Sequence, residues 1–470
     1  MADDTATIFV LFGSTGDLAK RMVLPAFFEL ERAGLLPTHW ALVGNGRGHR
    51  SDDDFRQHVR DSLDEFDTAP SDDEWEPFAK NLYFAGGGFT ADDPGDLLDV
   101  IADLTGTLGD DRQLVLYLAL PPSVFVDYTE AIGAHDLAKG SRVVYEKPFG
   151  TSPKSFEELD EVVHRYFDET QVYRIDHFLG KESTQNLHVL RFANGMVSGV
   201  WNREHVEEVQ IDIPETLDID DRAEFYDSTG AFLDMIVTHL FQVAAEVAME
   251  PPLSLSADDL QTARESVIAG FRPIDPDDVV LGQYEGYRDT DGVSDDSATD
   301  TFVAMRLWVD TDRWRGVPFV LRTGKELGVS AQQVSLIFRR PDDGPITHLP
   351  ADGTVLTFDL SGDGAVDLTV TVKEPGPGLH LTLGHTEMDL DAIADGLSPY
   401  SRLILDTLHG DRSLFTRPDG LSHVWHVAAP VLDNPPTPQP YARGSMGPGA
   451  ADRLPGPPGW ILTGADATKG

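Results

Sequence analysis

The chain has 470 residues and no cysteine. That absence excludes disulfides, thiolate nucleophiles, iron–sulfur clusters and cysteine-ligated zinc. Positive charge is scarce as well: 36 Lys and Arg stand against 80 Asp and Glu, a formal net charge of −44. So acidic a surface repels nucleic acid and anionic membranes, and neither is expected as a partner. No apolar run reads as long enough to cross a bilayer, and the start MADDTATIFV lacks the basic-then-apolar pattern of a secretory leader. The expected setting is the cytoplasm. Lysine is the rarest charged residue, 9 against 27 arginines, so each one that remains asks for a reason. The acids are spread along the chain (Asp52–Asp54, Asp72–Glu74, Asp295–Asp296) rather than gathered in a disordered tail. Abundant Asp with little Lys suits a salt-rich cytoplasm, where screening shortens to about 3 Å at 1 M salt.

Short apolar runs alternate with amphipathic ones over the first 175 residues. TIFVLF (7–12), WALVGN (40–45), NLYFAG (81–86), QLVLYLAL (113–120) and RVVYE (142–146) read as strands with helical patterns between them. Ser51 and Ser152 stand where N-caps are needed, the latter with Pro153 at the first helical position. This alternation predicts a doubly wound parallel sheet, an α/β domain spanning 1–175. Over 176–470 the pattern is α+β. NGMVSGVWNREHVEEVQIDI, TFVAMRLWVD, VPFVLRTG, QVSLIFRR, TVLTFDL, AVDLTVTV and LHLTLG read as strands of a mostly antiparallel sheet. One strong helix, 231–249, interrupts them, and the Pro- and Gly-rich last 40 residues read as a surface-lying tail.

The turn GSTGDLAKR (13–21) follows the first strand directly. Its backbone N–H groups and the helix behind it are placed to hold a pyrophosphate, with Gly13, Ser14, Thr15, Gly16, Asp17, Leu18 and Lys20 as cofactor candidates. The second strand ends in VGNGRGHR, without the carboxylate that usually takes the ribose 2′-hydroxyl of NAD. Arg47 instead offers a cation for a 2′-phosphate, which favours NADP and leaves NAD possible. Pro121, after the fourth strand, would close the nicotinamide side. EKPFG (146–150) ends the fifth strand and puts Lys147 on the carboxyl edge of the sheet, where open α/β folds bind ligands. The following proline is a candidate for a cis bond. RIDHFLGKE (174–182) gathers Asp176, His177 and Lys181.

In this order, GSTGDLAKR, EKPFG, RIDHFLGKE, RFAN…WNR, FYDSTGAFLDMIVTHLFQ and RTGKEL resemble the glucose-6-phosphate dehydrogenases, from about residue 7 to the final Gly-Trp. The resemblance implies a Rossmann domain followed by a larger α+β domain whose sheet carries a homodimer or homotetramer interface. It implies oxidation of glucose 6-phosphate at C1 with hydride transfer to NADP. It assigns the general base to His239 and its orienting carboxylate to Asp176, an arrangement that would fix the tautomer and stabilise the imidazolium. His177 and Lys181 would meet the phosphate, Lys147 would bridge substrate and cofactor, and Glu215, Asp234 and Lys325 would bind the sugar phosphate. Lys20, Lys147, Lys181 and Lys325 then account for four of the nine lysines.

The chain departs from many relatives at four places. Phe178 stands where they carry Tyr, Thr238 where they carry Asn, Met22 where a basic residue is common, and GVSAQQ after RTGKEL has no cation. The hydroxyl absent at Phe178 would supply a hydrogen bond worth roughly 0.5–1.5 kcal/mol. A dehydrogenase of another aldose or aldose phosphate is the first competing reading. A non-catalytic NADP-binding regulator is a second, of a different class. No metal site is expected: the histidines show no HExxH spacing, and DTDGVSDDSATD (289–300) fails the calcium-loop pattern at its glycine and its last position.

Overall fold

A computed structural model describes residues 5–463 except 67, 110, 220–221, 342–344, 347–348, 351–352, 363 and 391–395. The chain forms two compact units. One comprises residues 1–180, 255–261 and 397–418, and the other 181–254, 262–396 and 419–470. The sequence reading cut the chain once, between 175 and 176; the parallel-sheet unit instead also takes in two later segments. The physical reason is visible at Gly180: a Cβ there would lie 2.8 Å from the Pro399 carbonyl oxygen, so the end of RIDHFLG packs tightly on helix Pro399–His409.

Six parallel strands build the first unit: β1 (Ala6–Phe12), β2 (Trp40–Asn45), β3 (Leu82–Ala85), β4 (Arg112–Leu118), β5 (Arg142–Tyr145) and β6 (Val172–Arg174), in the order β3-β2-β1-β4-β5-β6. The order reverses between β1 and β4, which opens the ligand crevice at their carboxyl ends. β1 is buried along its whole length, as a strand covered on both faces must be. Phe9, Leu11, Leu42 and Tyr117 share a core with helices Leu24–Arg32, Asp52–Glu65, Asp72–Ala79 and Pro399–His409. Helix starts follow local chemistry: Ser51 with Asp54, Ser71 with Glu74 and Ser152 with Ser155 form reciprocal capping pairs.

The second unit holds nine strands: β7 (Val206–Pro214), β8 (Val279–Tyr284), β9 (Phe302–Trp308), β10 (Pro318–Gly324), β11 (Gln333–Phe338), β12 (Val355–Asp359), β13 (Ala365–Lys373), β14 (Leu381–Asp389) and β15 (Gln439–Tyr441). Their order is β14-β13-β12-β11-β7-β10-β9-β8-β15. The β7–β10 and β8–β15 pairs are parallel and the rest antiparallel. The mostly antiparallel sheet is thus as expected, while three details differ. Gly195–Val200 is helical rather than a strand, because Ser198 continues the turn by donating to Asn194 O at 2.9 Å. The Pro-rich tail is pinned rather than superficial: Tyr441, Leu454 and Leu462 are buried, and Trp460 stacks 4.0 Å from the Arg322 guanidinium. Finally, Ala223–Ala248 is long and apolar enough to cross a membrane, but 89% of its most apolar window is buried inside the protein, as in a core helix.

Candidate functional site

In the first unit the candidates line the carboxyl edge of the sheet. Gly13 has φ 76°, and a Cβ on it would sit 2.3 Å from the Ala119 carbonyl oxygen beyond β4. Only glycine fits this turn. The backbone N–H groups of Gly13 and Ser14 both reach the Asn45 carbonyl, at 3.1 and 3.3 Å. The Asn45 side chain donates to Ala85 O (3.0 Å) and Gly88 O (3.3 Å), tying the end of β2 to β3. Gly16 donates back to Gly13 O at 2.9 Å and Lys20 to Gly16 O at 3.1 Å, leading into a wide π-helical turn, Ala19–Val23. Leu18 packs against the core, while the Asp17 carboxylate accepts from Arg21 Nε at 2.7 Å on the surface. Arg47 is exposed on the loop after β2, and Pro121 leads into a short 3₁₀ turn after β4. A neutral strand end with an exposed arginine beside it fits the phosphorylated ribose of NADP.

Lys147 follows β5, and its bond to Pro148 is cis. Directly before it, Glu146 is 3% exposed. The Tyr117 hydroxyl donates to it at 2.5 Å and that of Tyr400 at 3.4 Å. Burial outweighs these donors and the nearby Lys147 ammonium, so the Glu146 carboxyl is pushed up to about 7. Beyond β6, Asp176 is 2% exposed and accepts from the Phe178 backbone N–H at 2.9 Å in a local turn, with a His177 ring nitrogen within 4.8 Å of its carboxylate. Phe178 itself is buried.

In the second unit, helix Ala223–Ala231 breaks at Gly230 (φ 70°), and a new helix starts at Phe232. The Phe232 N–H donates to an Asp300 carboxylate oxygen at 2.7 Å, and the Ala231 N–H to the Asp300 carbonyl at 2.8 Å. Asp300 thus caps this helix from 68 residues away. Its buried carboxyl is raised to about 6 by desolvation. The capped helix opens into π-helical turns over Phe232–Leu240, carrying Asp234 and the fully buried His239. Turns closed by i→i+5 bonds return the chain to nearly the same face after five residues, so Asp234 and His239 share a side. Such wide turns often mark functional sites. Lys325, after β10, pairs with Glu215, after β7, at 2.5 Å and lies 5.9 Å from the Tyr226 ring. Lys181 donates to the Gln332 side chain and, at 3.0 Å, to Leu360 O. Gln332 lies in the segment that lacks a cation. A cavity of about 330 Å³ bordered by Tyr284, Tyr287, Arg288 and Pro438 includes none of these candidates.

The chain matches known proteins over most of its length. The profile described as "Glucose-6-phosphate dehydrogenase, NAD binding domain" matches residues 10–186, and "Glucose-6-phosphate dehydrogenase, C-terminal domain" matches 188–459. The chain belongs to the glucose-6-phosphate dehydrogenase family. "Glucose-6-phosphate 1-dehydrogenase 6, cytoplasmic" of Arabidopsis thaliana is 36% identical over 97% of this chain and 92% of its own length. "Glucose-6-phosphate 1-dehydrogenase 1" of Mycobacterium tuberculosis is also 36% identical, over 95% and 94%. Among solved structures, a glucose-6-phosphate dehydrogenase in complex with its substrate glucose 6-phosphate has a TM-score of 0.90 at 31% identity, covering 97% of this chain and 98% of that one. The Mycobacterium avium enzyme has a TM-score of 0.86 at 32% identity, covering 97% and 99%. The glucose-6-phosphate dehydrogenase family consists of NADP-dependent oxidoreductases, so enzyme class and coenzyme agree with the sequence reading.

Sequence reasoning did not single out Asn45, Glu146, Tyr226, Asp300 or Gln332. Glu146 had a faint signal, an acid inside an apolar strand end next to a rare lysine. Asp300 had none, because its partner is remote in sequence.

Proposed function

We propose that the protein oxidises D-glucose 6-phosphate at C1 to 6-phospho-D-glucono-1,5-lactone. The observation that carries this is the full-length match to a glucose-6-phosphate dehydrogenase solved with that substrate. NADP, when bound, supplies the hydride acceptor. The turn from Gly13 to Leu18 with Lys20 would bind its phosphates, Arg47 would take the 2′-phosphate, and Pro121 and Lys147 would hold the nicotinamide end. His239 accepts the proton of the C1 hydroxyl, and Asp176 holds its imidazole in the receptive tautomer. His177 and Lys181 hold the phosphate, a charge-assisted contact strengthened by excluding water. Glu215 and Asp234 accept hydrogen bonds from sugar hydroxyls, and Lys325, paired with Glu215, is a third substrate-binding side chain. We further propose a cytoplasmic homodimer or homotetramer, adapted to high salt in keeping with its charge of −44.

The test is nicotinamide reduction by purified protein in molar KCl, with glucose 6-phosphate against free glucose and NADP against NAD. Turnover of glucose 6-phosphate with NADP, lost in His239→Asn while NADP binding persists, is the expected result. NADP binding without turnover of that sugar would move the reading to another aldose. Full activity and stability in dilute buffer would refute the salt adaptation.

A further inference from the structure

One core cluster of the second unit contains four tyrosines, Tyr226, Tyr284, Tyr287 and Tyr441. Three of their hydroxyls are engaged by the protein. Tyr284 donates to Asp218 at 2.5 Å, Tyr287 to Asp227 at 3.0 Å and Tyr441 to Lys325 O at 2.7 Å. Tyr226 is 3% exposed, yet its hydroxyl forms no hydrogen bond among the described residues. Its hydroxyl oxygen is not sealed in, so it keeps an open side that a ligand can occupy, and a phenol so placed ordinarily finds a partner.

The surroundings specify what that partner is. The charges acting on the Tyr226 hydroxyl belong to Asp234, Asp300 and Glu215, and the Lys325 ammonium lies 5.9 Å from its ring. Burial and these acids raise the phenol well above its ordinary range, so it stays protonated and acts as a donor. Asp300 spends one oxygen on the helix cap and Glu215 one on Lys325. Three carboxylates repel a phosphate but accept from hydroxyls. A sugar hydroxyl can both donate to a carboxylate and accept from a phenol, which is the complement of this cluster.

We propose that Tyr226 is a substrate-contacting, specificity-determining residue whose hydroxyl donates to a ring hydroxyl oxygen at C2, C3 or C4 of the hexose phosphate. This rests on the function proposed above. A site that commits a buried donor to a substrate hydroxyl rejects the sugar that lacks it.

Tyr226→Phe removes only that hydroxyl and keeps the ring, so folding should be unchanged, as read by thermal unfolding. The expected result is a KM for glucose 6-phosphate raised about threefold to tenfold, the effect of one neutral hydrogen bond. The KM for NADP should stay put. With the 2-, 3- and 4-deoxy analogues of glucose 6-phosphate, the variant's penalty should vanish for one analogue and persist for the others. An unchanged KM for glucose 6-phosphate, or an equal penalty with every analogue, would overturn the assignment. Failure of the wild type to oxidise glucose 6-phosphate would instead overturn the underlying function, and the assignment with it.

Discussion

Replacing Glu146 by Gln should make the first unit more stable at alkaline pH. The side chain is 3% exposed, and its carboxyl is raised from 4.5 to about 7, chiefly by burial. Between those two values the folded state holds a proton that the unfolded chain has released. Stability therefore falls as pH rises from about 4.5 to about 7, and is fully present only below that window. A shift of this size corresponds to about 3 kcal/mol at 1.36 kcal/mol per pKa unit. Glutamine keeps an oxygen for the Tyr117 and Tyr400 hydroxyls but never ionises. At pH 5 the variant should nearly match the wild type; at pH 8 it should be more stable by about 3 kcal/mol. Hydrogen exchange of the β4 and β5 amides, compared between the two proteins at each pH, isolates the unit concerned. Protection on the order of 100-fold higher in the variant at pH 8, and nearly equal at pH 5, is the expected result. Curves that run parallel across the two pH values, or a variant less protected at pH 8, would refute the argument that burial of an ionised carboxylate is the cost.

Gly13→Ala should abolish NADP binding in a fluorescence titration, since its Cβ would press on the Ala119 carbonyl at 2.3 Å in a left-handed backbone; an unchanged Kd would refute this. Asp300→Ala should lower stability by about 1–2 kcal/mol and reduce kcat, because the helix carrying Asp234 and His239 loses its cap. Asp300→Asn keeps an acceptor oxygen and should recover most of both; equal loss in the two variants would argue against capping. Asp212→Ala should cost about 3–5 kcal/mol in denaturant unfolding, because the buried Arg322 loses its carboxylate, with Nε–Oδ1 at 2.9 Å. Arg322 also holds Leu462 O at 2.9 Å and stacks on Trp460, so the variant's tail should become sensitive to limited proteolysis.

Much of this protein follows from local pattern. Short buried strands alternating with capped helices dictated the parallel unit, because period and caps are properties of neighbouring residues. Gly13 was legible because a tight strand-to-helix turn admits no side chain there. The rare lysines stood out against so acidic a background, and the ordered motifs pointed to the family without any geometry. What the chain alone did not reveal depends on residues far apart in sequence. The segment 397–418 joins the first unit because Gly180 lets the chain pack on helix Pro399–His409. A proline-rich tail is pinned because Arg322 needs aromatic and carbonyl partners. Neither the raised carboxyl of Glu146 nor the cap at Asp300 has a signature in its own neighbourhood, since desolvation is decided by what folds over a group. The wide turns around Lys20 and His239 are likewise tertiary decisions: their residues fit an ordinary helix equally well, and packing selects the rarer winding.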